Sequence, residues 1–314
     1  MGVSTTMTTR SEPEPDASDP RLGEIVRERR QLINLAYRLL GSLAEAEDAV
    51  QEACARWYAL SRAQRDEIES PAAWLTRVAS RVCLDQLGSA RARRERYVGE
   101  WLPEPLPDRS QWAGVRPGPA VDPADRITLD ESVTMAFLVV LEAMTPAERV
   151  ALVLHDVFGY SFAEVADIVG RTPQGCRQLA WSARRRLRST RPDPVPAADQ
   201  AGLVRDFRLA WEAKDVAALV GLLDPGVTAV ADGGGRVHAA VGPIEGSERV
   251  ARAFVEIAEL GVTIAECTVN GQPGLVAQQE GVVVAVVAFE IADGRVTRVW
   301  AVRNPEKLRP WTAG

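Results

Sequence analysis

Residues 161–188, SFAEVADIVGRTPQGCRQLAWSARRRLR, decide the fold. Ser161 and Glu164 have the spacing at which a hydroxyl and a carboxylate reciprocally satisfy free N–H groups at a helix start, so a helix is expected from Phe162. Phe162, Val165, Ala166 and Val169 recur at three- and four-residue steps and give one apolar face. Gly170 can take the left-handed conformation that closes such a helix. Thr172 suits the N-cap of a second helix, and Pro173 suits its first position, where the missing N–H costs nothing. In that helix Cys176, Ala180, Ala183 and Leu187 form an inward stripe. Gln174, Arg177, Gln178, Trp181, Arg184 and Arg185 are left on the other side, where they can meet bases and phosphates. Upstream, Thr145, Pro146 and Glu148 make another capping box, opening a helix that runs to Val157 and stops at Gly159. A short glycine turn between two helices, the second ending in arginines, predicts a helix-turn-helix that places its last helix in the DNA major groove. The plain alternative is a three-helix bundle with a solvated arginine face.

The bulk composition narrows the partners. With 314 residues and a net charge of -6, the chain holds two or three domains and is no generic polyanion binder. Its basic residues cluster instead: Arg91, Arg93, Arg94 and Arg96 in one place, Arg184, Arg185, Arg186, Arg188 and Arg191 in another. Two such patches on an acidic chain predict contact with selected places on DNA, sensitive to salt. Cys54, Cys83, Cys176 and Cys267 are scattered and only His155 and His238 accompany them, so neither a structural metal, a disulfide scaffold nor any other cofactor is expected. A reduced, cytoplasmic setting follows. No stretch has the apolar length of a membrane span, and the start lacks a hydrophobic signal core.

Along the chain the composition changes several times. Residues 1–20 read as a disordered tail and 21–98 as a first helical module. In that module a helix from Leu22 to Leu40 ends at Gly41. Ser42 and Glu45 then form a capping box opening a helix with Ala46, Ala49, Val50, Ala53 and Trp57 inward. Glu45, Asp48, Gln51 and Glu52 face outward. Ser70 and Pro71 begin a third helix, with Trp74, Leu75, Val78, Val82 and Leu87 inward, which runs into the first arginine cluster. Prolines at 103, 105, 107, 117, 119 and 123 make 99–125 an extended connector. The helix-turn-helix module occupies 126–191 and a second Pro-rich linker 192–199. Over 200–314 a helix from Ala201 to Leu223 and a strand-like VTAVAD are followed by the helix GSERVARAFVEIAELG. Apolar strand runs come after, with an Asp293-Gly294 hairpin signal. The expected fold class is multidomain, with two all-α modules and a C-terminal α+β domain on a curved antiparallel sheet.

The ordered set AEDAVQE, PAAWLTRVASRVCLDQL, a linker and the helix-turn-helix resembles the bacterial extracytoplasmic-function (ECF) sigma factors, the promoter-specificity subunits of RNA polymerase, over residues 22–190. WLPEP at 101–105, DGGGR at 232–236 and NPEKL at 304–308 resemble the SigJ-type branch, which carries a C-terminal SnoaL-like cone. The resemblance implies that Asp48, Gln51 and Glu52 dock on the β′ clamp of core RNA polymerase, and that the Pro71–Arg94 helix opens the -10 element. Arg77, Arg81, Arg91, Arg93 and Arg94 are its DNA contacts, with Arg81 where many relatives have Asn. It further implies that the helix from Thr172 reads the -35 element of promoter DNA, with Arg171, Thr172, Gln174, Arg177, Gln178, Ser182, Arg184 and Arg185 as contacts.

The same resemblance makes the C-terminal domain a regulator in cis. It implies that Asp232, Gly233, Gly234, Gly235 and Arg236, with Asn304, Pro305, Glu306, Lys307 and Leu308, pack near the first helical module or near Trp101, Leu102, Pro103, Glu104 and Pro105. A separate anti-sigma protein is then not required. Two rivals remain at this point. One is a conventional helix-turn-helix regulator with a small-molecule-sensing domain, which leaves AEDAVQE without a role. The other is a SnoaL-like cyclase or isomerase using Asp232 and His238 as acid and base; no catalytic role is assigned to any residue.

Overall fold

A computed structural model of the protein describes residues 20–94, 97–107, 131–190, 197–240 and 242–312. Residues 1–19 of the expected N-terminal tail, 108–125 of the connector and 192–196 of the second linker lie outside the described residues, and Pro20 already begins a helix. The first module is built from α1 (Pro20–Leu40), α2 (Leu43–Ala59), α3 (Arg62–Asp66) and α4 (Pro71–Arg94). Its inward residues are those of the apolar periodicity, and Trp57 and Trp74 meet edge to face at 5.3 Å. Ser42 caps α2 by accepting from the Glu45 amide. The carboxylate that completes this helix start comes from Glu104, far along the chain, whose Oε2 accepts from the Leu43 amide at 2.8 Å.

A 3-10 turn at Glu131–Val133 leads into α5 (Met135–Glu142), α6 (Pro146–Leu152), α7 (Phe162–Val169) and α8 (Pro173–Thr190). Of the three capping boxes read from the sequence, Thr145 with Glu148 and Ser161 with Glu164 form as read, whereas at Ser42 the bond from the Glu45 amide forms and the added carboxylate is that of Glu104; Gly170 closes α7 at φ 70°. The α6 helix stops being α-helical before Val157: Val153–Val157 has π geometry. The wider turn brings His155 and Asp156 inside, where the His155 ring stacks on Phe162 at 3.8 Å.

The two modules share one core. Leu75, Ala79 and Val82 of α4 belong to the same buried cluster as Val165 and Ile168 of α7 and Cys176 and Ala180 of α8. Two buried arginines cross the seam. Arg38 of α1 donates to Ser132 Oγ at 2.7 Å, and Arg149 of α6 donates to the Leu39 carbonyl and to Glu142 Oε1, both at 2.8 Å. Burial lowers the Arg149 guanidinium to about 10.

The C-terminal domain contains α9 (Ala197–Glu212), α10 (Val216–Leu222), β1 (Leu223–Asp232), β2 (Ile244–Glu245), α11 (Ser247–Glu259), β3 (Thr263–Val269), β4 (Gln272–Gln279), β5 (Val282–Ala292), β6 (Arg295–Val302) and α12 (Arg309–Thr312). The single helix expected from Ala201 to Leu223 is two, because Lys214 takes a positive φ of 55° and Asp215 recaps the chain by accepting from the Ala218 amide. The six strands lie in the order β2-β1-β6-β5-β4-β3. Asp293-Gly294 makes the expected hairpin, and Asn270-Gly271 and Glu280-Gly281 turn in the same way, all with positive φ. The sheet is mixed: β1 runs parallel to β6, because the chain leaves β1, crosses through α11 and re-enters at the far edge.

Each face of this sheet has its own cover. Helices α9, α10 and α11 pack on one through Phe207 and Trp211, Leu219, and Phe254 respectively; Phe207 meets Phe254 and Phe289 of β5, and Trp211 meets Phe254. The other face, with Val276, Val286, Ala288, Trp300 and Val302, is covered by Leu102 of the connector, Met135 of α5 and Leu308. Phe207 is fully buried at the centre of the aromatic group, so Phe207→Ala is expected to destabilise this domain by about 3–5 kcal/mol. Chemical denaturation of the full chain, followed by the tryptophan signal, measures that loss.

Candidate nucleic-acid interface

On α8 the N-cap is Thr172, whose Oγ1 accepts from the Gly175 amide at 3.1 Å, so the helix start points its free N–H groups outward. Arg171, Gln174, Arg177, Gln178 and Arg185 are all exposed. Arg177 is steadied by its guanidinium lying 5.4 Å from the Phe162 ring centroid and by a 3.3 Å bond to Gln174 Oε1. Two sequence-assigned contacts turn the other way. Arg184 grips the buried Asp156 carboxylate with two bonds of 2.6 and 2.7 Å, and Ser182 donates to Glu148 Oε1 at 2.6 Å. These bonds fasten α8 to α6 and its π turn and engage both side chains inside the module, where the sequence reading has them facing DNA. Burial acts to raise the Glu148 carboxyl, but hydrogen bonds from Ser182 and Thr145 outweigh it and hold that group below its usual range.

On α4, Arg77 and Arg81 are exposed, and an Arg81 guanidinium nitrogen donates to the Asp167 carbonyl of α7. Arg91, Arg93 and Arg94 lie in the last turns of α4, with side chains outside the described residues. Asp48, Gln51 and Glu52 form an exposed row on α2, and Glu52 pairs with Arg56 one turn on at 2.5 Å.

The connector segment Trp101–Pro107 is a strap whose polar backbone is almost completely used. Pro103, Pro105 and Pro107 remove three donors, and three amides find partners across the strap: Leu102 N to Asp232 Oδ2 at 3.0 Å, Glu104 N to the Gly41 carbonyl at 2.8 Å, and Leu106 N to Asn270 Oδ1 at 3.0 Å. The carbonyls are taken too, Glu104 by the Tyr37 hydroxyl at 2.6 Å, Pro105 by Trp311 Nε1 at 2.8 Å and Leu102 by Lys307 Nζ. Burial pushes the Glu104 carboxyl up, against the bonds from Leu43 and Ser42 that pull it down.

Asp232 sits at the strap's far end with a fully buried side chain. Besides Leu102 N it accepts from Lys307 Nζ at 2.7 Å, the Tyr97 hydroxyl at 2.7 Å and the Gly234 amide at 3.0 Å. Lys307 in turn lies 4.0 Å over the Trp101 ring. Burial, reinforced by the bond to Asp232, pushes the Tyr97 hydroxyl above its usual range. Asn304 donates to the Tyr97 hydroxyl at 2.7 Å and packs on Gly234, while Val98 lies 2.8 Å from where a Cβ on Gly235 would stand. Both glycines have positive φ, 64° and 67°, so the loop demands glycine for backbone and for space. Arg236 and Glu306 form an exposed 2.6 Å pair at the rim, a type worth little in water, and Pro305 is exposed beside it.

With four donors on Asp232 and none of them from His238, which is exposed on the loop beyond, the acid–base pairing of these two does not form. Sequence reasoning passed over Asn270. Its carboxamide, 2 % exposed in the β3–β4 turn, donates to the Tyr37 hydroxyl at 2.8 Å and the Val133 carbonyl at 2.9 Å while accepting from Leu106. One side chain thus joins α1, the strap and the entry to α5. An Asn-Gly pair favours a tight turn, but no local pattern announces such distant partners.

Comparison with known proteins agrees with this division. The sigma-70 region 2 family model matches residues 25–93, and the sigma-70 region 4 model matches 134–187. The ECF RNA polymerase sigma factor SigJ of Mycobacterium tuberculosis is 37% identical over 297 residues, 89% of this chain and 90% of the relative. A second protein of that organism, named "Probable ECF RNA polymerase sigma factor SigI", is 36% identical over 91% of this chain and 93% of its own length. The crystal structure of M. tuberculosis SigJ superposes with a TM-score of 0.70 at 34% identity, covering 92% of this chain and 98% of that one.

Removing one charge from the buried pair leaves the other uncompensated. Asp232→Asn is therefore expected to weaken the strap's attachment by about 3–5 kcal/mol. Hydrogen exchange of the full chain will show it as faster exchange at the Leu102, Glu104 and Asn270 amides, with α8 unchanged.

Proposed function

The chain belongs to the ECF RNA polymerase sigma factors and directs transcription initiation at promoters through core RNA polymerase, and from that premise we propose that its own SnoaL-like domain holds it closed. The observation that carries this reading is the single core shared by the two sigma modules. Elements named for positions 10 and 35 bases upstream lie roughly 80 Å apart on B-DNA at about 3.4 Å per step. Modules packed into one core cannot touch both, so the arrangement has to open on the promoter.

In the working state, on this proposal, Asp48, Gln51 and Glu52 dock on the β′ clamp. Arg77 and Arg81, with Arg91, Arg93 and Arg94, hold the opened -10 strand by its phosphates. Arg171, Thr172, Gln174, Arg177, Gln178 and Arg185 meet the -35 duplex. The docking row and the α8 face are exposed in the closed form, whereas Arg81 is tied to Asp167. Support for regulation in cis is the strap, whose amides are divided between region 2 and the C-terminal domain. An attached domain meets its target at high effective concentration, so no separate anti-sigma protein is needed. The domains divide at 21–98, 126–191 and 200–314, and the protein works in the cytoplasm. The packed aromatic group between helices and sheet supports a regulatory body over an enzyme or a ligand cone.

Two experiments test the proposal. With purified core polymerase, Asn270→Ala is expected to raise promoter-dependent transcription several-fold above the wild-type chain; equal activity removes the regulatory reading. In binding to matched and mismatched duplexes across a salt series, Arg177→Ala should lower discrimination by about 1–3 kcal/mol. Arg185→Ala should weaken both duplexes alike and flatten the salt dependence, and identical behaviour of the two variants rejects the division of labour.

A further inference from the structure

On the DNA-facing side of α8 the largest side chain is an indole. Trp181 is 62 % exposed, although burying such a ring is among the most favourable things a chain can do with it. It stands one turn beyond Arg177 and Gln178, and Arg177 and Arg185 fall about 40° to either side of it at 3.6 residues per turn. Trp181 therefore occupies the centre of the stripe and the arginines its flanks. The Arg185 guanidinium lies 6.0 Å from the indole centroid, a cation–π contact that restrains the ring on the helix surface. Cys176, Ala180, Ala183 and Leu187 already fill the inward face, so the core does not call on this ring.

A helix seated in the major groove turns the middle of its outward stripe to the groove floor, where Arg177, nearer the N-terminus, reaches base edges, while Arg185 at the far flank meets a phosphate. The apolar feature there is the 5-methyl group of thymine, which apolar side chains recognise by contact. We propose that Trp181 is a specificity-determining residue that packs against a thymine methyl in the -35 element, on either strand. This rests on the -35 reading of α8 and adds to it the chemical group that is read. The indole is held ready by Arg185, which serves both to position the ring and to meet a phosphate.

The test uses the full chain bound to core polymerase and promoter duplexes recovered by this holoenzyme from a library randomised over the -35 element. Each recovered thymine is replaced in turn by deoxyuridine, which deletes only the methyl. For the wild-type protein one replacement is expected to weaken binding about fourfold, the worth of one buried methyl-sized group. Trp181→Ala should bind the thymine and deoxyuridine duplexes equally, and Trp181→Phe should recover part of the preference. Because the ring is on the surface, neither variant puts the fold at risk. If no replacement affects the wild-type protein, or if Trp181→Ala keeps the wild-type sensitivity, the proposal is overturned. Failure of the wild-type holoenzyme to enrich any -35 sequence would instead sink the -35 reading itself.

Discussion

A carboxylate with no exposed side-chain surface must be surrounded by donors or be neutralised, and Asp232 is surrounded. Its four donors come from the strap (Leu102), the end of the first module (Tyr97), its own glycine loop (Gly234) and the tail after β6 (Lys307). None of these segments can leave without stranding a buried charge on the others. The same logic repeats at Asn270, where one carboxamide joins α1, the strap and the start of the second module. Two polar knots, one at each end of a seven-residue strap, tie the sigma modules to the sheet. Between the knots lies the apolar cover over the sheet, with Leu102 and Met135 in one buried cluster with Trp300 and Val302.

Such a closure is cooperative, which makes it a usable switch. Buried polar groups are strong when fully satisfied and costly when half satisfied, so partial opening is disfavoured and the chain prefers one of two states. Arg38 and Arg149 give the seam between the modules the same all-or-none character, since each donates across it from a buried position. Core polymerase and promoter shift the balance only by binding the open state better than the closed one. The row on α2 is exposed while the seam is made, and on the proposed reading it is the foothold that polymerase takes first.

Much of this was legible in the sequence where the cause is local. Ser161 with Glu164, Thr145 with Glu148, and Gly170 mark helix ends through contacts within a few residues, and the structure forms them as read. The glycines at 234 and 235 and the prolines at 103 and 105 stood out by composition, and their neighbours explain why those residues are there. Distant partners left no local trace. Arg184 falls on the outward side of a helical wheel and Ser182 is a contact implied by the resemblance alone, and only the π turn, by bringing Asp156 under α8, turns Arg184 inward. The parallel pairing of β1 with β6 likewise depends on a crossover that strand periodicity does not encode, and the break at Lys214 on one left-handed residue inside an otherwise helical pattern.

The central claim is that the free protein is closed and opens on its polymerase. Spin labels on the exposed faces of α2 and α8, with distances measured by pulsed electron resonance in the free full chain and after adding core polymerase, address it directly. The account predicts one short distance in the free chain and a long one in the complex; a long distance already present in the free chain, or an unchanged short one in the complex, would contradict it.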